Sequence, residues 1–380
     1  MQKKVLYWSP HINKEVATVK AVLNSAYSLS KYGKNFKPII INTFGEWDNY
    51  SEKLKELDIG SIKIFNWKIK QSINGFWKSR LFYIFLSFVV FFPLIKIIKK
   101  EKPDYVLIHL ITIPVLLVSF FFRDTKFILR ISGFPQLNIF RKSLWKILSK
   151  RLYSVFTPTL LTRELLIKNN IYTKEKIFLL RDPIVEIRKI VKLKKENIDD
   201  LSKTTKYVIS IGRLTKQKNF SFLIKSFSKI REKLMDIKLV IIGSGEEEEE
   251  LSKLIVELKL EKYVIMMRYK KNIFNYLNNS LFFVLTSDWE DPGFVLVEAA
   301  ICNKLILSSN VKNGPIEFVD NENNGILYKK NDYEDFERKF IYALNTSQNI
   351  LIKKRISAKI KTKKYTIFSH YLQLAEYLKD

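Results

Sequence analysis

Apolar positions along this chain fall into two alternating series of short runs and longer periodic stretches. In the first half, "KVLYWS" is a compact apolar run that predicts a strand. "KEVATVKAVLNSAYSLSKYG" repeats apolar residues at helical spacing and stops at Gly33, a residue suited to ending a helix. Further strand-like runs are "KPIIINTF", "IKIFNW", "YVLIHL", "KFILRIS", "SVFTPT" and "KIFLLRDPI". A helical stretch lies around residues 81–100, and Pro103 separates it from the strand that follows.

Residues 191–205, "VKLKKENIDDLSKTT", are charged and lack apolar periodicity, so they predict a linker. The second series then reads "KYVISIG", a helix over Asn219–Leu234, "IKLVIIGSG", a helix over Glu246–Leu258, "YVIMMR", a short helix near Tyr276, "LFFVLTS", a helix over Val295–Ala300, and "KLILSS". Strands apolar on both faces belong to parallel sheets covered by helices. The expected fold class is α/β: two Rossmann-like, doubly wound domains facing each other across a cleft. Ligands in such folds bind at the carboxyl ends of the strands. The expected domains are residues 1–190 and 206–360, with 191–205 between them. The end, 361–380, holds an amphipathic helix in "TIFSHYLQLAEYLKD" that closes the second domain or crosses back to the first. The two halves share no sequence repeat.

Length supports the division, since 380 residues exceed one typical core. Charge adds a partner class. Lys+Arg 66 against Asp+Glu 38 leaves +28, which suits a polyanionic ligand or surface. The basic residues are spread along the chain, and no basic cluster interleaved with aromatic stacking platforms points to nucleic acid. Residues 81–95, "LFYIFLSFVVFFPLI", are intensely apolar, but a membrane span needs about 20 residues. "KIIKKEK" follows at once. That order suits a helix in the headgroup region of an anionic leaflet, and a buried core helix is the alternative. "MQKKVLYWSP" has no signal-peptide character. The single cysteine, Cys302, excludes an internal disulfide and fits a reducing cytosol as a small buried residue. The expected location is cytoplasmic, peripheral on the inner face of the cytoplasmic membrane.

Candidate chemistry concentrates in the second half. In "SIGRLTKQKNFSFLIKSF" a strand ends at Gly212, and Arg213 and Lys218 precede a helix. Two cations at a helix N-terminus form an anion site, since free N–H groups and the dipole act in the same direction. Solvated surface cations are the alternative. "LVIIGSGEEEEEL" turns from strand to helix through Gly243 and Gly245, and its acids suit a helix start better than a metal site. It lacks the third glycine of a dinucleotide fingerprint. "TSDWEDPGFVLVEAA" puts Glu290 in a loop and Glu298 in the helix after the Pro292-Gly293 break. The carboxylates would accept sugar hydroxyls, and the N–H groups of Gly293, Phe294 and Val295 would hold phosphate between them. No His/Cys set has metal spacing. His11, His109, Arg130 and Ser132 are candidate acceptor or donor contacts, and His370 reads as structural.

The Glu-x7-Glu spacing of Glu290 and Glu298 resembles that of retaining glycosyltransferases of family 4, which have the GT-B fold. "SIGRLTKQKNFSFLIKSF", "LVIIGSGEE", "SDWEDPGFVLVEAAICNKLILSS" and "GPIEFVDNENNGILY" match that family in order and approximate spacing. The resemblance implies that Arg213 and Lys218 hold the donor diphosphate, that Glu290 contacts the transferred sugar, and that Glu298 contacts the ribose. It implies that Gly212, Gly245 and Gly293–Val295 line the donor. The first half departs from the pattern: its first loop has no Gly-Gly pair, and "ILRISGFP" holds Arg130, Ser132 and Gly133 where many members place a histidine. "WSPHINKEVATVK" and "LRISGFPQLNIFRKSLWK" resemble bacterial enzymes that build surface polysaccharides on lipid carriers. The implied activity is retaining hexosyl transfer, as in lipopolysaccharide O-antigen or capsule synthesis. The donor would be a nucleotide-diphosphate sugar, with no metal or other cofactor. The implied acceptor is a lipid-linked saccharide or oligosaccharide on the first, membrane-facing domain. A nucleotide-sugar epimerase or hydrolase of the same fold, with no acceptor, is the alternative, and a nucleic-acid-binding protein a weaker one.

Overall fold

The computed structural model describes residues 2–10, 17–66, 76–133, 138–202, 204–234 and 236–379. The chain divides into two compact units: Met1–Ile184 with Ile367–Asp380, and Val185–Thr366.

The first unit is built on seven strands: β1 (Lys3–Trp8), β2 (Phe36–Asn42), β3 (Gly60–Lys63), β4 (Tyr105–Ile108), β5 (Lys126–Arg130), β6 (Leu152–Thr157) and β7 (Ile177–Leu179). They pair in parallel in the order β3-β2-β1-β4-β5-β6-β7. The helices are α1 (Ala17–Tyr32), α2 (Ser51–Glu56), α3 (Phe76–Glu101), α4 (Thr112–Val118), α5 (Ile139–Leu148) and α6 (Leu160–Lys168). The strands read as continuous apolar runs because both sheet faces are covered. Leu6 and Trp8 enter one core, Val5 and Tyr7 the other, following the two-residue period of a strand.

α3 has one buried and one exposed face over residues 84–98. Leu86, Val90, Leu94 and Ile98 recur every fourth position and are buried. Ile84, Phe88, Phe92 and Lys96 recur on the opposite side and are exposed, Phe88 at 75% and Phe92 at 69%. Phe91 packs against both Phe92 and Phe121, which joins the outer stripe to the exposed aromatics after α4. No helix among the described residues is long and apolar enough to cross a membrane.

The second unit has six strands: β8 (Tyr207–Ile211), β9 (Lys238–Ile242), β10 (Val264–Met267), β11 (Phe283–Leu285), β12 (Ile306–Ser309) and β13 (Ile326–Tyr328). They pair in parallel in the order β10-β9-β8-β11-β12-β13. Its helices are α7 (Ile187–Leu193), α8 (Phe220–Ile230), α9 (Glu248–Glu257), α10 (Phe274–Asn279), α11 (Phe294–Ile301), α12 (Gly314–Val319), α13 (Tyr333–Asn345) and α14 (Gln348–Lys361). The last helix, α15 (Ile367–Tyr377), belongs to the first unit and packs on α1.

Residues 191–205 are not a free linker. The second unit starts at Val185, and α7 covers the beginning of that segment. The Asn272 side chain donates to Leu193 O at 2.9 Å and to Glu196 Oε2 at 2.7 Å, Asn275 donates to Asn197 O at 3.0 Å, and Tyr276 OH donates to Asp200 at 2.9 Å. The charge of the segment reflects its surface position, while its carbonyls and acids are tied to residues far along the chain.

Candidate active site

In the second unit β8 pairs with both β9 and β11, so the strand order reverses at the β8/β11 junction. The loops leaving the two strands diverge there, and open α/β sheets bind ligands at such a point. Gly212 and Arg213 follow β8, and Thr286–Glu290 follow β11.

Lys218 and Glu290 meet at this junction. Lys218 Nζ donates to Glu290 Oε2 in a mostly buried ion pair. Ser287 Oγ donates to the same oxygen at 2.9 Å. Glu290 Oε1 has no hydrogen-bond partner among the described residues, so one carboxylate oxygen is left to receive a donor. Backbone bonds fix the two loops together: Asp288 N donates to Gln217 O at 2.8 Å, Thr286 Oγ1 to Lys218 O at 2.9 Å, and Gln217 Nε2 to Trp289 O at 2.9 Å. Asn219 has φ 50° and caps α8 by accepting from Phe222 N.

Gly212 is explained by Lys218. A Cβ on Gly212 would stand 3.1 Å from Lys218 Cε, so the lysine stem lies over the glycine. Arg213 is exposed and makes no ion pair or hydrogen bond among the described residues. The junction thus carries one positive group held by a carboxylate and one with no partner among the described residues.

Gly293 has φ +80°, and a Cβ there would approach Glu290 Cγ to 2.8 Å. It permits the turn into α11, whose first turn at Phe294 and Val295 has no side-chain cap. Gly314 N donates to Glu290 O at 3.2 Å, fixing the glutamate backbone from the other side. Glu298 is half-buried, one turn before Cys302. Burial pushes the Cys302 thiol up to about 12, and the Glu298 charge adds to that rise. Gly245 answers to packing: a Cβ would meet Leu214 O at 2.2 Å, where Leu214 N donates to Ser244 O at 3.0 Å. Among the described residues no group of three His, Cys, Asp or Glu side chains is gathered as a metal site requires.

The candidates of the first unit lie at its own strand reversal, between β1 and β4. Trp8 pairs with Ile108 and Ile108 with Leu129, so Ser9, His109 and Arg130 leave the sheet side by side. His109 is buried, stacks on Tyr7, and neither ring nitrogen has a hydrogen-bond partner among the described residues. Burial lowers its pKa well below the ordinary value and the nearby Arg130 charge adds to the effect, so the imidazole is neutral. Ser132 Oγ is buried and likewise has no partner among the described residues. Arg130 is buried and committed to Asp182 and to Ile131 O. His11 lies outside the described residues. His370 is buried on α15, bonded to Ser25 Oγ and to Arg181 O, each at 2.8 Å. A carbonyl only accepts, so Nδ1 carries the proton and Ser25 donates to Nε2.

A family model described as "Glycosyl transferases group 1" matches residues 191–364. An uncharacterized glycosyltransferase of Methanocaldococcus jannaschii is 30% identical over 316 residues, 76% of this chain and 75% of its own. This chain belongs to the group 1 glycosyltransferases. A Campylobacter jejuni protein named N-acetylgalactosamine-N,N'-diacetylbacillosaminyl-diphospho-undecaprenol 4-alpha-N-acetylgalactosaminyltransferase is 32% identical over 130 residues, 34% of this chain and 35% of its own. Two solved structures share the fold along nearly the whole chain. A Rickettsia africae glycosyltransferase has a TM-score of 0.77 at 18% identity, covering 99% of this chain and 98% of its own. Anabaena HepE in complex with UDP and glucose has 0.72 at 16%, covering 99% of each. The fold is GT-B.

In this glycosyltransferase the reading from sequence named Arg213, Lys218 and Glu290 as candidates but not the bonds that join Lys218 to Glu290. Ser287 stands three positions before Glu290 and supports its carboxylate, and that spacing was the available signal. Gln217, Asp288 and Thr286 carried none, since they join two loops through bonds to backbone carbonyls 68–72 positions away.

Proposed function

We propose that this chain moves a sugar from a nucleotide-diphosphate donor to a hydroxyl of a lipid-linked saccharide, with retention, in cell-surface polysaccharide synthesis. The observation that carries the reading is the Lys218–Glu290 pair at the β8/β11 junction, with exposed Arg213 following β8 and unpaired among the described residues. The donor diphosphate sits against Arg213 and Lys218, and the sugar presents a hydroxyl to Glu290 Oε1. The amides of Gly293, Phe294 and Val295 serve the phosphate and the sugar, and Glu298 serves the ribose.

The bond from the anomeric carbon to the diphosphate oxygen breaks, and its electron pair stays on that oxygen. Arg213 and Lys218 neutralise the charge that develops there, which is where preorganised cations contribute most. The acceptor oxygen bonds to the anomeric carbon from the same face, and its proton passes to the departing oxygen. Two cations supply the stabilisation without a metal. In the first unit, neutral His109 and Ser132, whose polar atoms have no partner among the described residues, are the candidates for acceptor hydroxyls.

The Campylobacter relative is named for a diphospho-undecaprenol acceptor, which supports a lipid-linked acceptor here. The exposed aromatic stripe of α3, running into Lys96, Lys99 and Lys100, supports work at the anionic inner face of the cytoplasmic membrane. HepE binds UDP, so UDP-sugars are the first donors to try.

The test supplies purified protein with a panel of UDP-sugars and an undecaprenyl-diphosphate-linked sugar, following product by mass spectrometry and its anomeric configuration by NMR. Nucleotide release that requires the acceptor, with an α-linked product from an α-linked donor, is expected. Equal release without acceptor would turn the reading into a nucleotide-sugar hydrolase.

A further inference from the structure

The basic run "KKRISAKIKTKK" has no part in the site described above. Its first nine residues complete α14, which carries Lys353, Lys354, Arg355, Lys359 and Lys361 and no acidic residue. The inner face of α14 is ordinary. Leu351 and Ala358 are buried, and Lys354 and Lys361 turn inward to donate to the carbonyls of Glu322 and Glu317. The outer face is not. Ile352, Ile356 and Ile360 recur every fourth position and are exposed at 37%, 49% and 56%. Lys353, Lys359, Lys363 and Lys364 are exposed beside them.

A solvated helix face is normally polar. An aliphatic stripe edged by lysines and free of acids is instead the pattern of a helix lying in a membrane interface, where the stems bury with the stripe and the ammonium groups reach the headgroups. We propose that α14 is a lipid-facing element of the second unit, seating its isoleucines in an anionic leaflet with the four lysines on the phosphates. This goes beyond the transfer reading, since it needs neither donor nor acceptor. Charge selects the bilayer over a second copy of the chain: a twofold contact would bring this lysine-edged face against the same face of the other copy. Nucleic acid is disfavoured because isoleucines offer bases no stacking platform. The first unit repeats the arrangement independently, with Phe88 and Phe92 running into Lys96 and Lys100 on α3.

The experiment is co-sedimentation of the full chain with vesicles of phosphatidylcholine, alone or mixed with phosphatidylglycerol. It is run in the natural chain and in a Phe88→Ser/Phe92→Ser background, so that α3 does not mask α14. Ile352→Ser/Ile356→Ser/Ile360→Ser should lower partitioning onto the anionic vesicles on the order of tenfold or more. Lys353→Gln/Lys359→Gln should lower it about twentyfold on the anionic vesicles and little on neutral ones. Melting temperature, the UDP-induced thermal shift and transfer to a water-soluble acceptor should not change. A loss of these would count against the donor site rather than α14. As a second readout, Ile356→Cys carrying an environment-sensitive dye should shift to the blue with anionic vesicles. Cys302 is buried, with its thiol pushed up to about 12, so it does not compete for the label. Unchanged partitioning together with an unshifted dye would overturn the proposal. So would a lipid-independent, concentration-dependent mass in light scattering that the isoleucine variant abolishes, since α14 would then bind a second copy.

Discussion

Lys218 donates to Glu290 Oε2 although 72 positions separate them, and Ser287 donates to the same oxygen. The contact places a cation suited to a diphosphate directly against a carboxylate suited to a sugar hydroxyl. It also restrains both groups before any ligand arrives. Lys218 cannot wander into solvent while Glu290 holds it, and Glu290 presents its free Oε1 in a fixed direction. Preorganisation of this kind removes side-chain ordering from the cost of binding.

Arg213 and Lys218 should therefore separate in their effects. Arg213 is exposed and unpaired among the described residues, so Arg213→Ala should change stability by about 0.5 kcal/mol or less. Its transfer rate should fall on the order of a hundredfold or more. Urea unfolding alongside kcat measurement checks both. Normal turnover in Arg213→Ala/Lys218→Ala would end the diphosphate assignment.

Lys218→Ala should cost about 2–4 kcal/mol, because it strands a buried carboxylate with Ser287 as its one remaining donor. Lys218→Ala/Glu290→Gln should recover part of that loss, since the stranded charge is gone, while transfer stays abolished. A double-mutant cycle in urea measures the recovery. Additive losses would mean that the two side chains do not interact in solution.

Gly293→Ala tests the turn that seats Glu290. The residue has φ +80°, and the added methyl would press on Glu290 Cγ. A loss of about 1–3 kcal/mol is expected. The larger effect should be on kcat, as the carboxylate is pushed from its place. UDP affinity by calorimetry should change less than turnover.

Opposite faces of α3 should behave oppositely. Val90→Ala or Leu94→Ala opens a cavity in the core and should cost about 1–4 kcal/mol. Phe88→Ser/Phe92→Ser touches the exposed stripe and should leave the melting temperature nearly unchanged. Binding to anionic vesicles should fall in the second variant and not in the first. Equal vesicle binding in all of them, compared in an Ile352→Ser/Ile356→Ser/Ile360→Ser background so that α14 does not mask α3, would remove α3 from any membrane contact.

The strands were legible because parallel strands covered on both sides are apolar throughout, as "YVISI" and "KLVII" are. β13 escaped because its three residues "ILY" follow an Asn-rich turn with no period of their own. α14 escaped for the opposite reason: isoleucines on its exposed face and lysines on both faces blur the helical period, so no helix was predicted there. Arg213, Lys218 and Glu290 each announced themselves through a local motif. The Lys218–Glu290 contact did not, because it depends on where β8 and β11 end and on backbone bonds between their loops. The role of His370 was equally hidden, since Ser25 lies 345 positions away.

That histidine makes a pH prediction. Burial lowers its pKa from 6.5 to about 4, with Arg130 adding to the effect and the bond to Arg181 O opposing it. Because the folded value is the depressed one, the unfolded chain takes up the proton first as pH falls. The contribution is complete above about pH 6.5 and disappears as pH drops towards 4. The difference amounts to about 3 kcal/mol over that window, and about 2 kcal/mol is already gone at pH 5. Urea midpoints at pH 7 and pH 5 should differ clearly in the natural chain and by less in His370→Gln, which starts lower because it weakens the bonds to Ser25 and Arg181. Some dependence should survive, since His109 is held neutral in the same way. An identical acid loss in His370→Gln would mean that carboxylates, not this buried imidazole, set the acid limit of the first unit.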